Sequence, residues 1–344
     1  MTRLQEILGL KFPLIVAPMA GGPSSPDLVC AASKSGALGS IGAAYSSPSE
    51  IHGFVNNLSL KTQKPFAINL FVPHESPNLS PDQIRDAIAA TQIFREELSL
   101  PQPVLTPPFE EDFDAQFETV LSLKPRVLSF VFGTLKEQYI GAAHDQGLIL
   151  IGTATTPEEA LELKDSGVDA IVLQGVEAGG HRGIFNPNAP DPDVPLSALL
   201  RETKKKVKVP LIAAGGIMTS HDIHVALQLG ADAVQMGTAF MATKEAGTPA
   251  PFREKLLDSP QRQTKLTRAF SGRLARGIPN RFMRELDSHP HAILPFPAQN
   301  IFTRDIRSAS QRAGWPDHLS LWCGTGAGDL WTGSARDLIA QLFC

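Results

Sequence analysis

Eight short apolar runs recur along the chain, six of them ended by glycine and each followed by a segment of helical character. They are Leu14–Pro18, Ala37–Gly42, Phe66–Leu70, Val127–Gly133, Leu148–Gly152, Ala170–Gly175, Pro210–Gly216 and Ala233–Gly237. Within a run the apolar residues are continuous rather than alternating with polar ones, which predicts strands buried on both faces, as in a parallel sheet covered by helices. The intervening segments carry helix punctuation. Thr156-Pro157-Glu158-Glu159 offers an N-cap, a first-turn proline and two early acids, and Gly167 offers a C-cap. The same logic returns at Ser220-His221-Asp222 and ends at Gly230.

The joining pieces are alike: Gly167-Val168-Asp169-Ala170-Ile171 matches Gly230-Ala231-Asp232-Ala233-Val234, and Gly152 to Gln174 and Gly215 to Gly237 both span 22 positions. That is about one helix plus one strand, so eight such units predict an α/β fold of the (β/α)8 TIM-barrel class. Two stretches break the rhythm. Residues 72–124 are rich in proline and acids and predict an enlarged connection over one barrel mouth. From 245 to 319 no barrel-type strand appears, which predicts a small added domain. The expected layout is therefore a barrel over 1–244, the added domain over 245–319, and a segment over 320–344 that returns to the barrel.

Composition narrows the function classes. With 42% hydrophobic and 19% charged residues the chain can bury a full core, and a net charge of −4 with a pI of about 6.1 gives no general attraction for nucleic acid or an anionic membrane. The run Lys204-Lys205-Lys206-Val207-Lys208 reads as a solvated helix end or loop. Cys30, Cys323 and Cys344 are widely separated and odd in number, which indicates neither a disulfide framework nor a zinc pair and makes a reducing compartment the default. No run approaches the roughly 18 apolar residues of a membrane span. A soluble, cytoplasmic protein is expected, with no nucleic-acid or membrane partner, as a monomer or homodimer.

Candidate chemistry gathers at the ends of the later runs. His181 lies in Gln174-Gly175-Val176-Glu177-Ala178-Gly179-Gly180-His181-Arg182-Gly183, just past the sixth predicted strand, where α/β folds place their chemistry. Its flanking glycines permit close approach of a flat ligand, and a neutral imidazole suits general-base work near neutral pH. The seventh and eighth strands end in Gly215-Gly216 and Gln235-Met236-Gly237-Thr238; such turns let backbone N–H groups approach an anion, and a following helix start adds its dipole. Asn69 and Gln174, at the ends of the third and sixth strands, carry amides that can bond the edge of a heterocycle. His221 and His224 have no acidic or cysteine partner to complete a metal set. Gly324-Thr325-Gly326-Ala327-Gly328 looks like a dinucleotide loop, yet too little chain follows for a βαβ unit.

Together these segments resemble the nitronate monooxygenase family, formerly 2-nitropropane dioxygenases, in its class I branch. The resemblance is carried by Ala17-Pro18-Met19-Ala20-Gly21-Gly22, Asn69-Leu70-Phe71, Gln174–Gly183, Ala213–Ile217, Gln235–Thr238, Phe270-Ser271-Gly272-Arg273-Leu274-Ala275-Arg276-Gly277 and Pro297-Ala298-Gln299-Asn300, in that order. It implies non-covalent FMN, contacted by Asn69, Gln174, Gly179, Gly180, Gly215, Gly216 and Gln235, Met236, Gly237 and Thr238, with Pro18, Met19 and Ala20 along the isoalloxazine. His181 matches the family's catalytic histidine, and the resemblance implies that the smaller inserted domain helps enclose the substrate. The implied reaction converts an alkyl nitronate such as propionate 3-nitronate, or a nitroalkane deprotonated by His181, to a carbonyl compound and nitrite, with electron transfer to FMN and reoxidation by O2. Two positions depart from the pattern: Trp322-Cys323-Gly324-Thr325-Gly326 stands where the family has Trp or Tyr, Ala, Gly, Gln, Gly, and Phe296 stands where tyrosine is frequent. An NAD(P)H-dependent flavin reductase acting on quinones or enoyl thioesters, and a non-catalytic flavin-binding protein, are the competing readings.

Overall fold

Each of the eight apolar runs forms a parallel strand of one sheet in the computed structural model, which describes residues 1–258, 263–326 and 330–344. The strands are β1 (Leu14–Val16), β2 (Gly39–Gly42), β3 (Phe66–Phe71), β4 (Val127–Val131), β5 (Ile149–Ala154), β6 (Ala170–Gln174), β8 (Leu211–Ala214) and β9 (Ala233–Met236). Their order is β1-β9-β8-β6-β5-β4-β3-β2, and a parallel bridge from Ile15 to Leu38 joins the two ends. The sheet is thus a (β/α)8 TIM barrel. Helices alternate with the strands and close where the punctuation predicts. Thr156 caps Pro157–Ser166, which stops at Gly167 with φ 100°. Ser220–Gln228 begins one residue earlier than expected, with Thr219 rather than Ser220 as the cap and Asp222 completing a capping box.

Alternation along the strands sorts their side chains. Leu14, Val16, Ile68, Leu70, Leu128, Phe130, Ile171 and Leu173 pack outward in the main core with residues from the surrounding helices. Ile15, Ala67, Val127, Ile151, Ala170, Val172, Ile212 and Ala233 point inward and form a second core with Leu4, Leu8 and Leu10 from the N-terminal segment. The inward parity continues up β3, β5, β6 and β9 and there delivers Asn69, Thr153, Gln174 and Gln235 to the cavity at the carboxyl ends. Apolar filling below and a polar layer above therefore come from one register.

Above that layer lie the two stretches that break the repeat. Residues 72–124 contain the helices Pro81–Glu97 and Phe113–Leu123. Phe94 of the first packs with Phe270, Phe282, Met283, Leu286 and Ile306, while Ala87 and Phe109 pack with Leu294, Ala298 and Phe302. Buried Arg95 adds a 2.7 Å bond to Asp305 and a 2.9 Å bond to the Phe302 carbonyl. The connection thus shares its core with the segment 245–319. That segment also supplies β10 (Lys265–Thr267) and β11 (Ala275–Gly277), which form a three-stranded antiparallel sheet with β7 (Gly180–His181). At the other end of the chain the helix Ala335–Leu342 packs into the main core, and Phe343 stacks on Phe12 at 4.6 Å.

Candidate active site

A cavity of about 510 Å³ opens at the carboxyl ends of the barrel strands, beneath the segment 245–319. Pro18, Met19, Ala20, Asn69, Gln174, Gly179, Gly180, His181, Gly215, Gly216, Gln235, Met236, Gly237 and Thr238 all line it. The residues singled out from sequence thus come together around one space, which is of the size that binds a small ligand or cofactor. Gly179 has no room for a side chain: a Cβ there would stand 2.5 Å from backbone atoms of Cys323 and Gly324. The loop over 322–326 lies against the histidine loop at this point, and Gly324 N–H donates to Thr238 Oγ1 at 3.1 Å. Ala327 and Gly328 lie outside the described residues.

His181 does not sit in a free loop. It pairs with Ala275 in the β7–β11 ladder, and Gly180 pairs with Arg276. The imidazole stands among Trp322, Phe132 and Phe71, with ring centroids 5.5, 6.0 and 6.2 Å away. Its Nε2 lies 2.8 Å from Ser271 Oγ, which is 3.3 Å from both the N and the O of Arg273. The hydroxyl has a single proton. If that proton goes to the Arg273 carbonyl, Nε2–H donates to Oγ and Nδ1 keeps a lone pair for the cavity; if it goes to Nε2, the basic position is occupied. Although the ring is partly open to the cavity, its surroundings and the nearby Arg273 and Arg307 hold the imidazole pKa down to about 3, burial being the larger cause. His181 is neutral at physiological pH.

The wall beside it is cationic and aromatic. Arg273 is 2% exposed, stacks its guanidinium 3.8 Å over Phe132, donates to the Ile184 carbonyl and lies 2.9 Å from His74 Nε2. None of these partners is an anion. Burial and Arg273 lower the His74 pKa to about 4, so His74 accepts from the guanidinium as a neutral ring. Burial lowers Arg273 itself only to about 10, which leaves it charged. Phe132 reaches this position with φ 83°, a backbone conformation that costs a non-glycine residue on the order of 1–3 kcal/mol.

The family model for nitronate monooxygenase matches residues 1–344. A probable nitronate monooxygenase of Staphylococcus aureus (strain Newman) is 37% identical over 323 residues, covering 94% of this chain and 90% of that protein. The chain belongs to the nitronate monooxygenase family. Among solved structures, the nitroalkane oxidase of Streptomyces ansochromogenes superposes with a TM-score of 0.90 at 34% identity, over 98% of this chain and 96% of that one. FabK from Thermotoga maritima shares the fold, with a TM-score of 0.75 at 24% identity over 99% and 94% of the two chains.

Within this nitronate monooxygenase, three details of side-chain bonding shape the site. Arg182 neither faces substrate nor lies on the surface: it is 1% exposed and paired through Nε to Asp191 at 2.7 Å, with Nη1 donating to the Gly175 carbonyl at 2.8 Å. Gln174 lines the cavity, but its Nε2 donates to the His181 carbonyl at 2.9 Å and its Oε1 accepts from Arg182 Nη1 and Gly183 N at 2.7 and 2.8 Å. Its acceptor capacity is spent and one N–H remains for a ligand. The helix dipole expected behind Gly215 and Gly216 is also offset, because the Asp222 carboxylate already accepts the Met218 and Thr219 N–H groups at 3.0 and 2.9 Å. The open backbone of the glycines, at φ 125° and 71°, is what those turns offer an anion. No group of three or more His, Cys, Asp or Glu able to hold a metal occurs among the described residues, and no helix among them is long and apolar enough to cross a membrane.

The sequence reading passed over Ser271, Arg273, His74 and the aromatic wall. The Phe270–Gly277 segment was available as a signal, since it supplies both the ladder that holds His181 and the hydroxyl at its Nε2.

Proposed function

We propose that this nitronate monooxygenase family member oxidises alkyl nitronates, and nitroalkanes deprotonated in the site, to carbonyl compounds and nitrite, with FMN as the cofactor and O2 as the oxidant. The observation that carries this reading is a neutral imidazole lining the cavity with the buried, charged Arg273 close behind it, a guanidinium that pairs with no carboxylate among the described residues. The field of that cation beside the cavity favours an anionic substrate, because no carboxylate among the described residues pairs with it and Glu159 acts on it only through space. A nitronate supplies that charge. A neutral nitroalkane gains it once its α-proton has moved to His181 Nδ1, and the field of Arg273 then stabilises the anion while opposing the imidazolium. Nitronates are therefore the better substrates, and His181 serves as base for the neutral acids.

The lining of the cavity supports FMN as the cofactor. Asn69 Nδ2 donates to Ser129 Oγ at 3.0 Å, leaving its Oδ1 and second N–H for the heterocycle, and Gln174 adds one N–H. Pro18, Met19 and Ala20 provide a wall without large polar groups, Gly179 and Gly180 let the histidine loop approach it, and Gly215, Gly216, Gln235, Met236, Gly237 and Thr238 line the same cavity and would hold the phosphate. When bound, FMN accepts the electrons of the nitronate and passes them to O2. The protein's part is to hold the anion, keep the imidazole neutral and exclude bulk water.

Purified protein is expected to carry a yellow FMN spectrum and to release nitrite from propionate 3-nitronate without NAD(P)H. A correctly folded protein that binds no flavin, or rapid anaerobic bleaching by NAD(P)H with no nitronate turnover, sinks the proposal. His181→Asn is expected to retain FMN while losing about 10²-fold or more in kcat/KM on neutral nitroalkanes. Its loss on preformed nitronates is expected to be much smaller.

A further inference from the structure

The acids near Arg273 and His74 take their hydrogen bonds from other donors. Glu110 accepts from the His74 backbone N–H at 3.2 Å. Glu159 accepts from Thr155 N and Oγ1 at 2.6 and 2.7 Å and from Phe185 N at 2.9 Å, and reaches Arg273 only through space. The guanidinium itself meets neutral acceptors: the Ile184 carbonyl and His74 Nε2, with the Phe185 carbonyl at 3.5 Å. Arg268, a second cation that acts on it, donates to the carbonyls of Pro187, Gly272 and Ala189. Of the acceptors around Arg273, His74 alone is a side chain, so it alone is open to replacement by a carboxylate. Its ring packs between Phe132 and Phe296, with centroids 5.8 and 5.3 Å away. A neutral imidazole that accepts at Nε2 carries its proton on Nδ1. That Nδ1 is buried with no hydrogen-bond partner among the described residues. An unpaired buried donor is unfavourable, and here it accompanies the contact that leaves Arg273 uncompensated.

We propose that His74 is a positioning residue: by meeting Arg273 as a neutral acceptor it keeps the guanidinium charge available to the cavity, and with it the preference for an anionic over a neutral substrate. The inference rests on the nitronate reading above and names a residue that tunes it from behind the cavity wall. Its effect passes through Arg273, which stacks 3.8 Å over Phe132; that ring lines the cavity, with its centroid 6.0 Å from that of His181. Across an apolar ring the field of one charge is weakly screened. A carboxylate at position 74 would form an ion pair and cancel it. Arg307 also acts on His181, and Tyr45 on Arg273, and both are untouched by substitution at position 74.

The test compares His74→Gln, whose side-chain oxygen is a neutral acceptor for Arg273, with His74→Glu, which has the same shape and a charge. The quantity measured on FMN-loaded enzyme is kcat/KM for ethyl nitronate divided by kcat/KM for nitroethane. His74→Glu is expected to lower this ratio about tenfold, chiefly by raising KM for the nitronate, and His74→Gln to hold it within about twofold of the wild type. A reading independent of turnover is the Tm shift with sodium nitrate, a planar monoanion, expected in the wild type and His74→Gln and reduced in His74→Glu. Nitrogen NMR of histidine-labelled wild type is expected to show His74 neutral, with its proton on Nδ1, from pH 8 to pH 5; loss of the signal in His74→Gln assigns it. If His74→Glu does not fold, these spectra decide. A charged or Nε2-protonated His74 in that range, or a ratio that falls equally in both variants or in neither, overturns the proposal while leaving nitronate oxidation standing. Absence of turnover with every nitronate overturns the underlying function instead; the nitrate shift and the spectra then still read His74.

Discussion

At the residue scale the chemistry depends on what surrounds His181 more than on the histidine itself. Its pKa of about 3 in the fold, against about 6.5 for an exposed imidazole, fixes two outcomes. Acidification from pH 8 to pH 5 is expected to leave kcat/KM on nitronates without a histidine-type acid limb, and a limb with its midpoint near 6.5 would show that the ring keeps its ordinary basicity. The stability effect has the opposite sense to that of a salt-bridged histidine. Between about pH 6.5 and 3 the unfolded chain binds a proton that the folded one refuses, so stability rises with pH across that window and is lost on acidification. Urea unfolding of the wild type and of His181→Asn at pH 4.5 and 7.5 separates this contribution, and a difference between the two proteins that does not change with pH refutes it.

Elements show how much of this was legible from the chain. All eight strands could be read because apolar runs of five to seven residues have few alternatives between glycine-ended helices, and because the top-layer residues Asn69, Gln174 and Gln235 follow the same inward parity as the apolar ones. The two-residue β7 could not be read. It has no periodicity of its own and exists only through its pairing with β11, far along the chain. For the same reason the burial of Arg182 was missed, since its partner Asp191 lies in a polar stretch that looks solvated in isolation. Element contacts also rank two substitutions. A Cβ at Gly39 would stand 2.5 Å from the Val29 carbonyl oxygen and 2.8 Å from its Cα, so Gly39→Ala must part β2 from the helix Pro26–Lys34. It is expected to cost more than about 2 kcal/mol. Thr156→Ala removes one cap bond and is expected to cost about 1 kcal/mol. Chemical denaturation that reverses this order would show that β2 and its helix separate more easily than their close approach implies.

For the whole molecule, the site lies between two bodies of structure that are interleaved in sequence. The barrel contributes the polar layer and the glycine turns, while 245–319, joined to 72–124 through Phe94, Arg95 and Phe109, contributes Ser271, Arg273 and Arg307. Phe94→Ala is expected to cost about 3–5 kcal/mol by opening a cavity against Phe270 and Phe282, which ring contacts of 4.9 and 4.8 Å link in series. The wall that carries Ser271 depends on this packing. The variant is therefore expected to lose affinity for nitronates, read as a raised KM, more than affinity for FMN, read by flavin titration. Equal losses in both would mean that the segment and the flavin end respond as one rigid unit.

The ladder between β7 and β11 also gives the site a time of birth. On a growing chain the last barrel strand is complete at Met236, yet the residue that pairs with His181 is Ala275 and the hydroxyl at its Nε2 belongs to Ser271. Until those residues are made, the histidine has neither its ladder nor its hydrogen-bond partner. The chain therefore acquires the strands of its scaffold well before it can acquire a reactive centre, and a product truncated after Met236 carries the histidine without the means to aim it.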